Sequence, residues 1–175
     1  MENSKIIKIA VVGPESTGKT VLCEQLALHY NTIFVPEYAR DYFLTKNIEG
    51  HTKEDLNIIY EKQILSESKI VKQANRFLFC DTNLISGKVW ADVVFKSAPE
   101  FISQNISNTD HDLHLLCDID LPWVADEQRR NEYNRKEIMQ MHVNELQKLG
   151  LNFEIIKGFD KDRVKNAIIA ISKYF

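Results

Sequence analysis

No apolar run of 18 residues occurs in the 175-residue chain, so a membrane-spanning helix is not expected. The opening stretch Met1 to Lys8 is short and polar and leads straight into a strand-like segment, without the apolar region and cleavage site of a secretory signal. A soluble, cytoplasmic protein with no membrane partner is therefore the expectation. Cysteine is scarce. The three present, Cys23, Cys80 and Cys117, show no C-x-x-C spacing, and an odd count does not suit a fully paired disulfide scaffold. They read as small core residues in a reducing compartment. A basic excess is also missing: 22 Lys and Arg stand against 25 Asp and Glu, a formal net charge of -3, which argues against a surface dedicated to nucleic acid. Any attraction for phosphate must then be local.

There is no internal repeat and no low-complexity tract. The length suffices for one sizeable core but not for two ordinary domains, so residues 1–175 are expected to form a single domain. Hydrophobic residues at 44% and charged residues at 27% are the proportions of a chain that folds without a partner. Ile6 to Val12 is apolar apart from Lys8, as suits a central parallel strand covered on both faces. A helix is expected from Lys19 to Tyr30, a strand from Thr32 to Val35 closed by Pro36, and a short helix from Tyr38 to Lys46. Thr52 with Asp55 resembles a capping box and opens a long helix to Asn75. Its apolar face would hold Leu56, Ile59, Tyr60, Gln63, Ile64, Ile70, Val71 and Ala74. Further strands are expected at Phe77 to Cys80, Leu113 to Cys117 and Phe153 to Ile156. Helices should run from Leu84 to Phe95, from Arg135 to Leu149 with Gly150 as the stop, and from Asp160, as N-cap, to Tyr174. Five short strands separated by helices predict an α/β fold, a three-layer sandwich with a parallel five-stranded sheet.

Gly13-Pro14-Glu15-Ser16-Thr17-Gly18-Lys19-Thr20 matches G-x-x-x-x-G-K-[ST] in full, with an apolar strand before it and a helix after it, as a phosphate-binding loop requires. In such a loop glycines let the backbone wrap an anion and the helix N-terminus aims free N–H groups at it. Lys19 reaches the outer phosphates, and the Thr20 hydroxyl can ligate Mg²⁺. Glu15, Ser16 and Thr17 complete the nucleotide cradle, and the cofactors expected are ATP and Mg²⁺.

Asp81 follows the apolar strand Phe77 to Cys80, where a carboxylate can hold Mg²⁺ beside the loop; a solvent-facing turn Asp would look the same in sequence. Glu37 follows the second strand directly, in Val35-Pro36-Glu37-Tyr38-Ala39-Arg40. Strand ends face the ligand crevice of open α/β sheets, so Glu37 can accept a proton from a substrate hydroxyl while Arg40 steadies nearby charge; a surface Glu capping a helix is the alternative. Residues 122–135, with Arg129, Arg130 and Arg135 after Trp123, read as a lid closing over phosphates, or else as a charged helix face with Glu-to-Arg pairs. No guanine-reading N-K-x-D is present, and AAA-type ATPases usually carry a further helical subdomain for which little chain remains, so both readings fit poorly. Asp81-Thr82-Asn83 stands where deoxynucleoside kinases have Asp/Glu-Arg-Ser.

The ordered set of the Gly13 to Thr20 loop, Pro36-Glu37-Tyr38-Ala39-Arg40, Asp81-Thr82-Asn83 and Asp120-Leu121-Pro122-Trp123-Val124-Ala125-Asp126-x-x-Arg129 resembles the ribosylnicotinamide kinase domain at the C-terminal end of certain bifunctional NAD-biosynthesis proteins. The likeness covers most of the chain and implies a P-loop fold of nucleoside-kinase type. It implies ATP-dependent phosphorylation of the 5′-hydroxyl of nicotinamide riboside to nicotinamide mononucleotide, with a small nucleoside as partner and no nucleic acid. On that resemblance Glu37 is the general base, Asp81 the Mg²⁺ or substrate-ribose carboxylate, Arg129 and Arg130 the lid cations and Trp123 a ring-stacking residue. Phe159, in Gly158-Phe159-Asp160, lies where related folds pass the adenine. Nothing precedes the first strand, so a stand-alone kinase is expected. The alternatives are a regulatory ATPase module without a small-molecule acceptor and another nucleoside or nucleotide kinase.

Overall fold

Strands as apolar as Ile7–Val12 (β1) and Phe77–Asp81 (β3) cannot leave either face to water, and the structure, a computed structural model describing residues 5–175, covers both. With Phe34–Val35 (β2), Leu113–Cys117 (β4) and Phe153–Ile156 (β5) they form one parallel sheet in the order β2-β3-β1-β4-β5. β1 lies centrally, its Ile9 opposite Phe79 on one side and Leu113 on the other. Seven helices of the described residues flank the sheet: Lys19–His29 (α1), Tyr38–Thr45 (α2), Lys53–Ile70 (α3), Leu84–Phe95 (α4), Glu100–Asn105 (α5), Arg135–Lys148 (α6) and Asp160–Ser172 (α7). Alternate strand residues divide the core into two layers. Ile9, Val11, Phe79 and Leu115 pack with Leu22 and Leu26 of α1 and Ile171 of α7. Ala10, Val12 and Leu116 pack with Leu56 and Ile59 of α3, Ile85 of α4 and Leu146 of α6. This is the expected three-layer α/β sandwich, and its parallel strands bring all their C-terminal ends to one edge. Among the described residues no helix is long and apolar enough to cross a membrane. The polar stretch Met1 to Ser4 lies outside the described residues.

The local departures from expectation have physical reasons. Thr32 does not join β2, because its hydroxyl donates to the Phe77 carbonyl at 2.6 Å and accepts from the Asn75 amide at 2.9 Å. The long helix opens with the expected capping box of Thr52 and Asp55 but stops at Ile70, and a 3₁₀ turn, Val71–Gln73, follows. Its inner face takes Glu67, which was not expected there, while Ile64 is 39% exposed. Asp160 is the first helical residue of α7, with φ of 45°, and Phe159 stands at the N-cap. α5, only six residues behind Pro99, is too short for its period to be read and is held by buried Ile102. The three cysteines are buried and unpaired.

The core also holds three histidines. The His142 Nδ1–H donates to the Ile138 carbonyl at 2.9 Å, and His114 Nε2 accepts from the Asn83 amide at 3.0 Å. Burial lowers His111 to about 3, and His114 and His142 to about 4. Unfolding below pH ~6.5 therefore takes up protons, so the stability they contribute at neutral pH is lost as pH falls through that range. Glu67 has the opposite sign. Burial pushes its carboxyl up to about 8, so the folded state binds the extra proton and loses stability as pH rises from about 4.5 toward 8. Maximal stability is thus expected at roughly pH 6.5, with flanks no steeper than about 1.4 kcal/mol per pH unit for each proton. Melting temperatures from pH 4 to 9 in chelator check this: Glu67→Gln should flatten the upper flank, and a parent-like fall in that variant would contradict the assignment.

Candidate functional site

The chain turns from β1 into α1 through Gly13–Gly18, and the tightness of that turn explains its first glycine. Gly13 has φ of 137°, and a Cβ there would lie 2.8 Å from the Cys117 carbonyl at the end of β4. Gly18, with φ of 75°, stands at the N-cap of α1, so the first amides of that helix and the loop amides converge where an anion would sit. Thr17 is buried and its hydroxyl donates to the Pro14 carbonyl at 2.8 Å, closing the loop on itself. The Lys19 ammonium donates to the same carbonyl at 2.9 Å.

From the first turn of α1, the Thr20 hydroxyl donates to Asp81 Oδ2 at 2.5 Å. Asp81 ends β3 and is 1% exposed, and its Oδ1 is buried without a hydrogen-bond partner. A buried carboxylate with an orphaned oxygen beside a hydroxyl on the phosphate loop is a donor set that fits Mg²⁺. Burial raises the Asp81 carboxyl above its ordinary value, against the opposing pull of the Lys19 charge and the Thr20 hydrogen bond.

Glu37 leaves the end of β2 toward the same edge. Its carboxylate is half-buried, 3.6 Å from Arg40 Nε. Burial and the neighbouring Asp81 charge raise its pKa, and Lys19 and Arg40 act against them. A cleft of about 100 Å³ has Lys19, Glu37 and Arg40 among its polar lining. Phe43, Trp90 and Ile138 supply apolar lining. The Phe43 and Trp90 rings meet edge-on with centroids 5.8 Å apart. The arrangement offers phosphate donors, a cation, a carboxylate of raised pKa and an aromatic wall within one crevice.

The 122–134 loop is irregular and lies on the phosphate loop. Val124 N–H donates to Ser16 Oγ at 2.8 Å. The Glu15 carboxylate accepts from the backbone amides of Arg130 and Asn131, each at 2.9 Å. Arg135, at the start of α6, donates to the Ser16 carbonyl at 3.0 Å and the Leu121 carbonyl at 3.1 Å, and lies 5.9 Å from the Trp123 ring centre. Glu15 and Ser16 thus turn their side chains to this loop and leave their backbone to the cradle. Arg129 pairs with Asp126 at 2.9 Å, and Asp126 also accepts from Arg40 at 3.0 Å. The Arg130 guanidinium is 3.7 Å from Glu49 and largely exposed.

Of the expected residues, the structure brings Gly13, Glu15, Lys19, Glu37 and Arg40 to the cleft and joins Thr20 to Asp81 behind it. Trp123 does not line the cleft; Trp90 does. Phe159 is 62% exposed beside Gly158, whose amide donates to Asp120 at 2.7 Å, and it too lies outside the cleft lining. Trp90, Phe43, Asn131 and His142 line the cleft and went unnoticed in the sequence. Trp90 sits on α4, LISGKVWADVVF, which is apolar on nearly every side, so no single face of that helix advertises a ligand.

Fold and site together define a P-loop nucleotide-binding domain of kinase-like architecture. The chain belongs to the family described as an AAA domain, which matches residues 8–163. An AAA-type ATPase with a further helical subdomain was expected to fit poorly, and the family match lies over this one domain. The chain is 29% identical over 160 residues to the trifunctional NAD biosynthesis/regulator protein NadR of Salmonella typhimurium, a match covering 88% of this chain and 39% of the relative. The chain thus spans about two fifths of that relative's length. A NadR protein crystallised in complex with NR superposes with a TM-score of 0.79 at 27% identity, over 97% of this chain and 49% of that one. A NadR protein in complex with NAD and AMP-PNP gives 0.78 at 25% identity, over 97% and 49%. These likenesses bear out the resemblance to the kinase domain of NAD-biosynthesis proteins.

Proposed function

We propose that this chain, as one kinase domain, transfers the terminal phosphoryl group of ATP to the 5′-hydroxyl of nicotinamide riboside. The observation that carries the reading is Glu37, a carboxylate of raised pKa in one cleft with the phosphate-loop Lys19 and the Trp90–Phe43 wall. In this reading the flat pyridinium ring packs against the aromatic wall, and its 5′-hydroxyl meets Glu37. The hydroxyl proton passes to a Glu37 carboxylate oxygen as the hydroxyl oxygen bonds to the γ-phosphorus, and the bridging oxygen departs with ADP. Lys19 and the amides after Gly18 meet the outer phosphate oxygens, while Arg40 keeps Glu37 from being neutralised before the acceptor arrives. Thr20 and Asp81 would hold Mg²⁺, which supplies charge neutralisation across the phosphate oxygens when bound. The NadR proteins crystallised with NR and with NAD and AMP-PNP support a nucleoside and a nucleotide as the ligands of this reading.

A second reading, a nucleotide-gated regulatory module, is favoured by the grip of Glu15 and Ser16 on the 122–134 loop. ADP release from ATP with and without a nucleoside panel separates the two. The kinase reading expects turnover to depend on nicotinamide riboside, whereas acceptor-independent turnover would favour the module.

In the kinase reading the 122–135 segment is the lid, and Arg129 and Arg130 leave Asp126 and Glu49 for the transferring group. Arg129→Ala and Arg130→Ala should then each lower kcat by about 10²-fold while ATP affinity changes little, because the charge they meet develops in transfer. A loss confined to ATP affinity, measured by calorimetry beside steady-state rates, would make them docking residues.

A further inference from the structure

Cys80 differs from the other two cysteines in what faces it. It lies on the side of β3 that meets α3, and Glu67 from that helix and His111 from the loop before β4 converge on it. The carboxylate oxygen, thiol sulfur and imidazole nitrogen all lie within 4.8 Å of one another, the one such group of three among the described residues. All three side chains are out of water: Cys80 is 0% exposed, and the Glu67 and His111 side chains are 6% and 4% exposed. We infer that Glu67, Cys80 and His111 form a binding site for a borderline-soft divalent cation of the zinc class, separate from the hard Mg²⁺ donors Thr20 and Asp81.

Three observations carry this. His111 Nε2 is buried with no hydrogen-bond partner, and the nearest Glu67 oxygen, 3.5 Å away, makes no hydrogen bond with it. A buried orphaned nitrogen aimed between a carboxyl and a thiol needs an explanation, and an ion provides one. The other ring nitrogen, Nδ1, is 2.9 Å from the Thr109 hydroxyl. A ring proton donated there fixes the imidazole and leaves the Nε2 lone pair facing inward, the outer support that ligating histidines ordinarily have. Thiolate, imidazole and carboxylate together are a zinc donor set, and three protein ligands leave a fourth position for water. A cleft of about 340 Å³, lined by Glu67, His111, Lys8 and Asp110, gives the ion a path in. The Lys8 ammonium on its wall is countered by Asp110 at 2.5 Å.

Metal–ligand bonds of about 2.0–2.3 Å require the three groups to draw together by roughly an ångström. Binding releases the thiol proton and the carboxyl proton to solvent, so affinity rises with pH. The ion would tie α3, β3 and the segment entering β4 into one unit without touching the phosphate loop.

The whole chain, stripped with chelator, is titrated with Co²⁺ and then Zn²⁺. One equivalent of Co²⁺ should bring up a thiolate-to-cobalt charge-transfer band in the near ultraviolet, and Zn²⁺ should bleach it and raise the melting temperature. Cys80→Ser should lose the band while Cys23→Ser keeps it. Glu67→Gln and His111→Gln should each weaken binding by about 100-fold or more, beyond the usual cost of an outer-shell change. Because a core substitution can unfold the chain, each variant is checked by circular dichroism and ATP binding, and Glu67→Gln carries the test if Cys80→Ser fails to fold. No band at one equivalent, a band that survives Cys80→Ser, or parent-like affinity in folded Glu67→Gln overturns the site. ATP turnover is not the readout, so failure here leaves the kinase reading standing.

Discussion

Glu37→Gln is expected to bind ATP and nicotinamide riboside nearly as the parent does while its transfer rate falls by roughly 10² to 10⁴, the usual contribution of a positioned general base. Gln keeps the size and hydrogen-bonding shape of Glu and removes only the basic oxygen, so the change isolates proton acceptance from positioning. The surroundings sharpen the expectation. Burial and the Asp81 charge raise Glu37, which brings a carboxylate closer to the pH at which it must take a proton, while Lys19 and Arg40 limit the rise. The acid limb of the parent's kcat profile should therefore lie above the ordinary carboxylate range, and Glu37→Gln should remove it. Single-turnover rates and calorimetric affinities, measured across pH, check both statements. A Gln variant that transfers at close to the parent rate would show that Glu37 is not the base.

Lys19→Ala should abolish ATP-dependent turnover with the fold intact. The ammonium reaches no core side chain; its hydrogen bond runs to the Pro14 carbonyl on the loop itself. Its larger effect is on charge, since it opposes the raised pKa values of both Glu37 and Asp81. Without it those carboxyls rise further and the outer phosphates are left unneutralised. Melting temperature and turnover measured together decide the matter. Unchanged turnover in a folded Lys19→Ala would remove the phosphate-loop mechanism.

The parts of this molecule that sequence exposes are those written in contiguous residues. The phosphate loop needs its glycines where the backbone must pass Cys117 and begin α1, so chemistry and geometry coincide in eight positions. Asp81 and Glu37 could be singled out because each follows an apolar strand, and parallel strands deliver such residues to one edge. The aromatic wall was not legible: Phe43, Trp90 and Ile138 come from α2, α4 and α6 and meet only through packing. Trp123 was expected to stack on a ring because of the family resemblance of its motif, yet it lies by Arg135 and outside the cleft lining. The grip of Glu15 and Ser16 on the loop more than 100 residues away was equally hidden, since the motif leaves those side chains free to vary. Buried Glu67 shares the inner face of α3 with Leu56, Ile59, Tyr60 and Gln63 and could be placed only once Cys80 and His111 stood beside it.

The most direct test is the product of a single incubation. The purified chain, Mg²⁺, ATP carrying a labelled γ-phosphate and nicotinamide riboside are combined, and the nucleoside fraction is resolved by mass. The account predicts labelled nicotinamide mononucleotide formed in step with ADP, none without the riboside, and formation slower by roughly 10² to 10⁴ with Glu37→Gln. Label appearing only as inorganic phosphate, with the riboside recovered unchanged, would contradict it.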